Sequence, residues 1–195
     1  MEVRFVYALP MRIFLALPLP DDVKASLGDA VGRLKPMASE VTWHTREQLH
    51  ITLIYLGEVA PSILPHVTAA VDRVCAALPP FACRAYGWGF FGTKRMPNTL
   101  WAGVDPSRQL EELHERLWLE LKKFGFKDEG PDFRPHITLG RCRNTAKNRA
   151  LVEAMAADEQ DNFGGWTVTG VALVESRLTP RGALYRKLSL SSLLG

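Results

Sequence analysis

His50-Ile51-Thr52-Leu53 and His136-Ile137-Thr138-Leu139 are one tetrapeptide written twice. Its β-branched and apolar residues suit an extended strand. A strand turns alternate side chains to one face, so each His shares a face with the Thr two positions on. Imidazole titrates near neutral pH, and two of them in one site can act as acid and base in a single reaction. The pair is therefore a candidate active site.

Working outward from the first copy, Arg12 to Leu17 reads as a short strand. Asp21 then opens a helix carrying Val23, Leu27, Val31 and Leu34 on one stripe. The first His-x-Thr strand runs from Leu49 to Leu56, a helix follows over Ser62 to Ala77, and Phe81 to Phe91 is a strand. The second copy has the same surroundings. Leu100 to Val104 is a strand, and Ser107 is a good N-cap for a helix with Leu110, Leu113, Leu117, Leu121 and Phe124. The second His-x-Thr strand covers His136 to Arg141, and a helix runs from Ala146 to Ala157. Trp166 to Ser176 and Leu184 to Leu190 complete the strands.

Offsets repeat along with order. Phe14 precedes His50 by 36 residues and Trp101 precedes His136 by 35; Phe81 follows His50 by 31 and Trp166 follows His136 by 30. Such duplication predicts two halves about a pseudo-twofold axis, with matched strands facing one groove. No Gly/Ser-rich or proline-rich linker separates the halves, so they read as lobes of one domain. The expected fold is α+β: two pseudo-symmetric lobes of antiparallel sheet, outer helices, and a central cleft carrying both His-x-Thr motifs. Met11-Arg12-Ile13-Phe14 reads like a natural start, so residues 1–10 are expected to be an extension and 11–195 the domain.

At 195 residues, with 47% hydrophobic and 23% charged residues, the chain can bury a real core and is not a disordered one. A net charge of +3 does not demand nucleic acid, yet leaves room for a basic cleft near Arg134, Arg141 and Arg143. Cys75, Cys83 and Cys142 are odd in number and lack zinc spacing, which suits a reducing cytoplasm. Pro10, Pro18 and Pro20 interrupt the apolar start, and no stretch has the length of a membrane span. The expectation is a cytoplasmic monomer without membrane attachment.

Four chemistries compete for the twin motif. Buried, satisfied core histidines would account for one copy better than for two with matched threonines. A metal site lacks its words: there is no His-Glu-x-x-His, no Cys-x-x-Cys, and no carboxylate inside either motif. A covalent nucleophile lacks a Gly-x-Ser-x-Gly elbow, and Cys142 reads as a packed thiol. Paired acid–base catalysis remains, with the threonine hydroxyls bonding phosphate oxygens. A strained five-membered cyclic phosphate needs only in-line attack and a protonated leaving group.

With these words in view, the chain resembles the RNA 2′,3′-cyclic phosphodiesterases, also called 2′-5′ RNA ligases, of the two-histidine phosphoesterase superfamily. Arg12-Ile13-Phe14-Leu15-Ala16-Leu17-Pro18, Trp43, and Leu49 to Leu53 with Leu56-Gly57 carry the likeness. So do Leu100-Trp101-Ala102-Gly103-Val104, Phe133 to Arg141, Glu175-Ser176, and Gly182-Ala183-Leu184-Tyr185. The resemblance implies hydrolysis of an RNA 2′,3′-cyclic phosphate end to a 2′-phosphomonoester, with no metal or nucleotide cofactor. It implies that His50 protonates the departing 3′ oxygen and His136 activates water, an assignment that sequence symmetry does not fix. Thr52 and Thr138 would hold phosphate oxygens, and Arg141 would add a phosphate contact. Tyr55 stands where the family commonly has Phe and would stack on a base. Tyr55 and Arg141 lie at odd offsets from their histidines, which on an ideal strand turns them away from the site. Packing beneath a helix is the competing place for Tyr55.

Ligation would be the same chemistry reversed, with a 5′-hydroxyl attacking. Other readings are a phosphodiesterase for a small cyclic nucleotide, such as an ADP-ribose cyclic phosphate, and a non-catalytic module binding RNA ends. His44, His66 and His114 have no matched partner and are expected at the surface or in caps, while Trp88, Trp101 and Trp166 are expected in the core.

Overall fold

The computed structural model describes residues 9–127, 133–143, 149–157, 161–180 and 182–195. Strand β1 (Met11–Pro18) leads into helix α1 (Asp21–Leu34), whose first turn carries Asp21 and Asp22 and whose last carries Arg33, the charge order a helix dipole favours. A three-residue strand β2 (Val41–Trp43) precedes β3 (His50–Val59) and helix α2 (Leu64–Ala76). The middle of the chain forms β4 (Phe81–Thr93), β5 (Met96–Val104) and helix α3 (Arg108–Leu121). Ser107 Oγ accepts from the Leu110 N–H at 3.2 Å, the expected N-cap. Then come β6 (His136–Cys142), α4 (Arg149–Ala157), β7 (Asn162–Val168), β8 (Gly170–Thr179) and β9 (Gly182–Ser192).

The strands form one antiparallel sheet in the order β7-β4-β5-β6-β3-β1-β8-β9, with β2 paired to β6. Its centre is the β3/β6 contact, so the lobes β7-β4-β5-β6 and β3-β1-β8-β9 are related as the duplication requires. This is the expected two-lobed α+β architecture. One cluster, including Leu15, Val23, Ile51, Val71, Leu113, Ile137 and Leu139, draws on both lobes and on α1, α2 and α3. A smaller one joins Leu34 and Leu100 to Leu151 and Met155 of α4.

The lobes are not the sequence halves. Only two residues separate β4 from β5, and so short a connection makes them antiparallel neighbours. The first half thereby gives β4 to the second lobe, and β8 returns to pair with β1 in the first. The match of Phe81 with Trp166 fails for this reason: β4 and β7 are neighbours, with Trp166 opposite Cys83, and β8 holds the place equivalent to β4. The expected strand from Trp166 to Ser176 divides at Thr169, and Phe124 lies past α3 on an exposed 3-10 turn. Residues 1–8 and 146–148, where most of the extension and the start of α4 were expected, lie outside the described residues.

Candidate active site

Ile51 pairs with Ile137 across β3 and β6, and both are fully buried. Antiparallel register then sets His50 opposite Thr138 and Thr52 opposite His136, all four on the face turned away from the core. The two copies of the tetrapeptide thus lie side by side in opposite directions, and one site contains both histidines.

Each imidazole is held in the same way. His50 Nδ1 lies 2.7 Å from the Gln48 carbonyl and His136 Nδ1 lies 2.7 Å from the Arg134 carbonyl. A carbonyl only accepts, so each Nδ1 carries hydrogen and each Nε2 is left for chemistry. His50 Nε2 meets Thr52 Oγ1 at 3.1 Å. Gln48 also anchors the neighbourhood: its side-chain Nε2 donates to the Ala183 carbonyl at 2.7 Å and its Oε1 accepts from the Thr45 N–H at 2.8 Å. The Thr45-x-x-Gln48 spacing is a capping-box word, a signal present in the sequence and overlooked there.

Aromatic rings brace both sides. Phe14 and Tyr185 lie 4.9 Å and 5.2 Å from His50, and Phe91 and Trp101 lie 4.9 Å and 6.2 Å from His136. Phe14 and Trp101, matched by offset, are matched in place. Trp101 is accordingly a site-bracing residue rather than a core one. It fits because residue 89 is glycine: a Cβ there would come within 2.0 Å of the Trp101 ring. Gly89→Ala is expected to shift the indole against His136 and lower kcat roughly 10- to 100-fold, in line with the cost of small misplacements. Unchanged kcat alongside unchanged tryptophan fluorescence would contradict this bracing role.

Tyr55 and Arg141 reach the site through bulges. β1 pairs Leu15 with Ile54 and Ala16 with Thr52, skipping Leu53; β5 pairs Leu100 with Gly140 and Trp101 with Thr138, skipping Leu139. Each extra residue reverses the alternation, so the fifth residue after each His returns to the His face. Tyr55 is 55% exposed, which removes the packing-beneath-a-helix alternative. Glycine at 57, with φ of +72°, accommodates the second irregularity in β3.

Two cavities flank the pair, of about 840 Å³ and 940 Å³. The first is lined by His136, Phe91, Trp118, Phe126 and Phe133, with Arg134 and Lys127. The second is lined by His50, His44, Arg12, Arg141, Arg143 and Tyr185. Thr52 and Tyr55 border both. Thr138 lines neither, and its place in the set rests on register.

Two histidines expected at the surface or in caps line the cavities instead. His114 stacks on Phe133 at 4.1 Å in the aromatic cavity. His44, just past β2, donates its backbone N–H to the Leu139 carbonyl at 2.8 Å and so ties down the β6 bulge. Burial first, then His50 and Arg141, push its imidazole down to about 4, so it is neutral near pH 7. The strand before it, β2, is only three residues long, too short for periodicity to reveal. His66 stays outside the site, near Phe124. Burial also lowers His50, with His136 adding to the effect against the Gln48 carbonyl. Burial lowers His136, against the Arg134 carbonyl, with Arg141 adding to the lowering. Among the described residues no group of three His, Cys, Asp or Glu side chains is placed to hold a metal.

A two-lobed sheet with His50, His136, Thr52 and Arg141 along its flanking cavities suits phosphoester chemistry. The profile of the 2′-5′ RNA ligase superfamily matches residues 19–179, and the chain belongs to that superfamily. It is 31% identical to the RNA 2′,3′-cyclic phosphodiesterase of Thermotoga maritima over 91% of this chain and 93% of that one. It is 33% identical to the one from Thermus thermophilus over 95% and 91% respectively. A crystal structure of a Thermus thermophilus protein superposes with a TM-score of 0.83 at 31% identity, covering 95% of this chain and 99% of that one. E. coli LigT complexed with 3′-AMP shares the fold, with a TM-score of 0.78 at 23% identity over 95% and 99%.

Proposed function

We propose that the protein hydrolyses RNA 2′,3′-cyclic phosphate ends to 2′-phosphomonoesters by paired-histidine acid–base catalysis. The observation that carries this reading is the Ile51–Ile137 register, which places two Nδ1-anchored imidazoles and their threonines on one face. The names of the relatives point to the same substrate.

In the proposed step His136 Nε2 takes a proton from water as its oxygen attacks phosphorus. The bond from phosphorus to the 3′ oxygen breaks, and His50 Nε2–H protonates that oxygen. Thr52, Thr138 and Arg141 hold the non-bridging oxygens as charge grows on them. The lowering of His136 by Arg141 supports its role as base, since a guanidinium favours the neutral ring. A 5′-hydroxyl in place of water would run the step as ligation to a 2′-5′ linkage. Tyr55, exposed between the cavities, is proposed to stack on a base. The site is complete within one chain, which fits a monomer with residues 11–195 as its single domain. The free thiols of Cys75, Cys83 and Cys142 fit a cytoplasmic setting. No described helix is long and apolar enough to cross a membrane.

The test is turnover of an oligoribonucleotide with a 2′,3′-cyclic phosphate end, in EDTA, across pH. Full activity in EDTA is expected; loss restored by a divalent ion would contradict the mechanism. One histidine must be protonated and the other neutral, so kcat/KM should be bell-shaped. Both pKa values lie below the ordinary 6.5, so the bell should peak on the acid side of that value and fall by pH 7 and above. Bound phosphate favours protonated imidazole, so the kcat optimum should lie at higher pH than that of kcat/KM. Flat profiles between about pH 5 and 8 would contradict both expectations.

A further inference from the structure

Arg143 stands two residues past Arg141 and is tethered without being neutralised. Its Nε donates to Thr42 Oγ1 at 2.7 Å, and its backbone N–H donates to the Glu40 carbonyl at 2.8 Å. Arg12, on the same cavity, faces Glu58 at 3.4 Å, and Arg177 and Arg186 both bond the buried Glu175. Among the described residues, neither Arg141 nor Arg143 has a carboxylate partner. Glu47, the carboxylate on this cavity, pairs with neither. His44 beside them stays uncharged, so this wall holds two arginines, one at the end of β6 and one just past it, that no described carboxylate pairs with.

Arg141 serves the reacting phosphate, and Arg143 lies roughly 6.5 Å farther along an extended chain. That is the reach of one ribose between successive backbone phosphates. The opposite cavity, with Phe91, Phe126, Phe133 and Tyr55, is aromatic and suits the terminal base. We propose that Arg143, held by Thr42, binds the phosphodiester carried on the 5′ oxygen of the terminal ribose. The enzyme thereby selects oligonucleotide ends over mononucleotides. This rests on the cyclic-phosphate reading above and extends it to the substrate's length.

The experiment compares kcat/KM at low salt for a nucleoside 2′,3′-cyclic phosphate and for a dinucleotide with the same end. It uses wild type, Arg143→Gln and Arg134→Gln, the last probing the rim of the aromatic cavity. Wild type should prefer the dinucleotide about tenfold or more, the worth of a charge-assisted hydrogen bond. Arg143→Gln should remove most of that preference and cost the mononucleotide far less. A dinucleotide with an uncharged methylphosphonate linkage should lose the preference with wild type too, whatever the stability of the variant. Arg143→Gln should add little further loss on that substrate. Equal losses on both substrates, a selective loss in Arg134→Gln instead, or a methylphosphonate as good as the diester would overturn the subsite. Turnover of neither substrate by wild type would overturn the cyclic-phosphate reading itself; mononucleotide turnover without dinucleotide preference would overturn only the subsite.

Discussion

Replacing either His50 or His136 with alanine is expected to lower kcat on a cyclic-phosphate RNA end by about 10²–10⁴-fold, the range of a positioned proton carrier. Both imidazoles project from the sheet's open face, while Ile51 and Ile137 hold the strands together beneath them. The variants should therefore fold, with unfolding temperatures near that of wild type. Affinity for the 2′-phosphate product should survive better than kcat, because the phosphate contacts proposed for Thr52, Thr138 and Arg141 remain. The double variant should be little worse than the worse single one, since the two groups act in one step and their losses do not add. A single variant keeping a tenth or more of wild-type kcat would remove that histidine from the mechanism.

Arg141→Ala is the second large effect. Loss of the guanidinium proposed to stabilise developing phosphate charge is expected to cost roughly 10²–10³-fold in kcat, comparable to removing an oxyanion donor. It also carries a signed pH signature. Arg141 lowers His136 in the native protein, so its removal should raise that pKa. If His136 is the base, it must be neutral to act, and the ascending limb of the kcat/KM profile should move to higher pH. His44 is also lowered by Arg141, and its titration followed by NMR should move up from about 4. A lower kcat with an unmoved ascending limb would place the base at His50 instead.

What could be read from the chain beforehand follows from what local sequence encodes. The His-x-Thr strands, the α1 and α3 faces and the Ser107 cap are set by residue type and spacing, and they stand where expected. The exchange of β4 and β8 between lobes was not readable, because strand partnership depends on connection length and long-range pairing rather than on either strand's own pattern. The bulges at Leu53 and Leu139 were hidden for a related reason. An extra residue in a strand leaves no compositional mark, yet it decides that Tyr55 and Arg141 face the site. Period-two reasoning alone pointed both of them the wrong way. His44 has no match in the second half, and the clamp it makes on Leu139 exists only once β2 has paired with β6.

The most direct measurement is phosphorus NMR of the product formed by wild type from an oligoribonucleotide ending in a 2′,3′-cyclic phosphate, in the presence of EDTA. A 2′-phosphomonoester, absent from parallel reactions with His50→Ala and His136→Ala, is the predicted result. A 3′-phosphomonoester, or the same product from either variant at wild-type rate, would contradict the paired-histidine account.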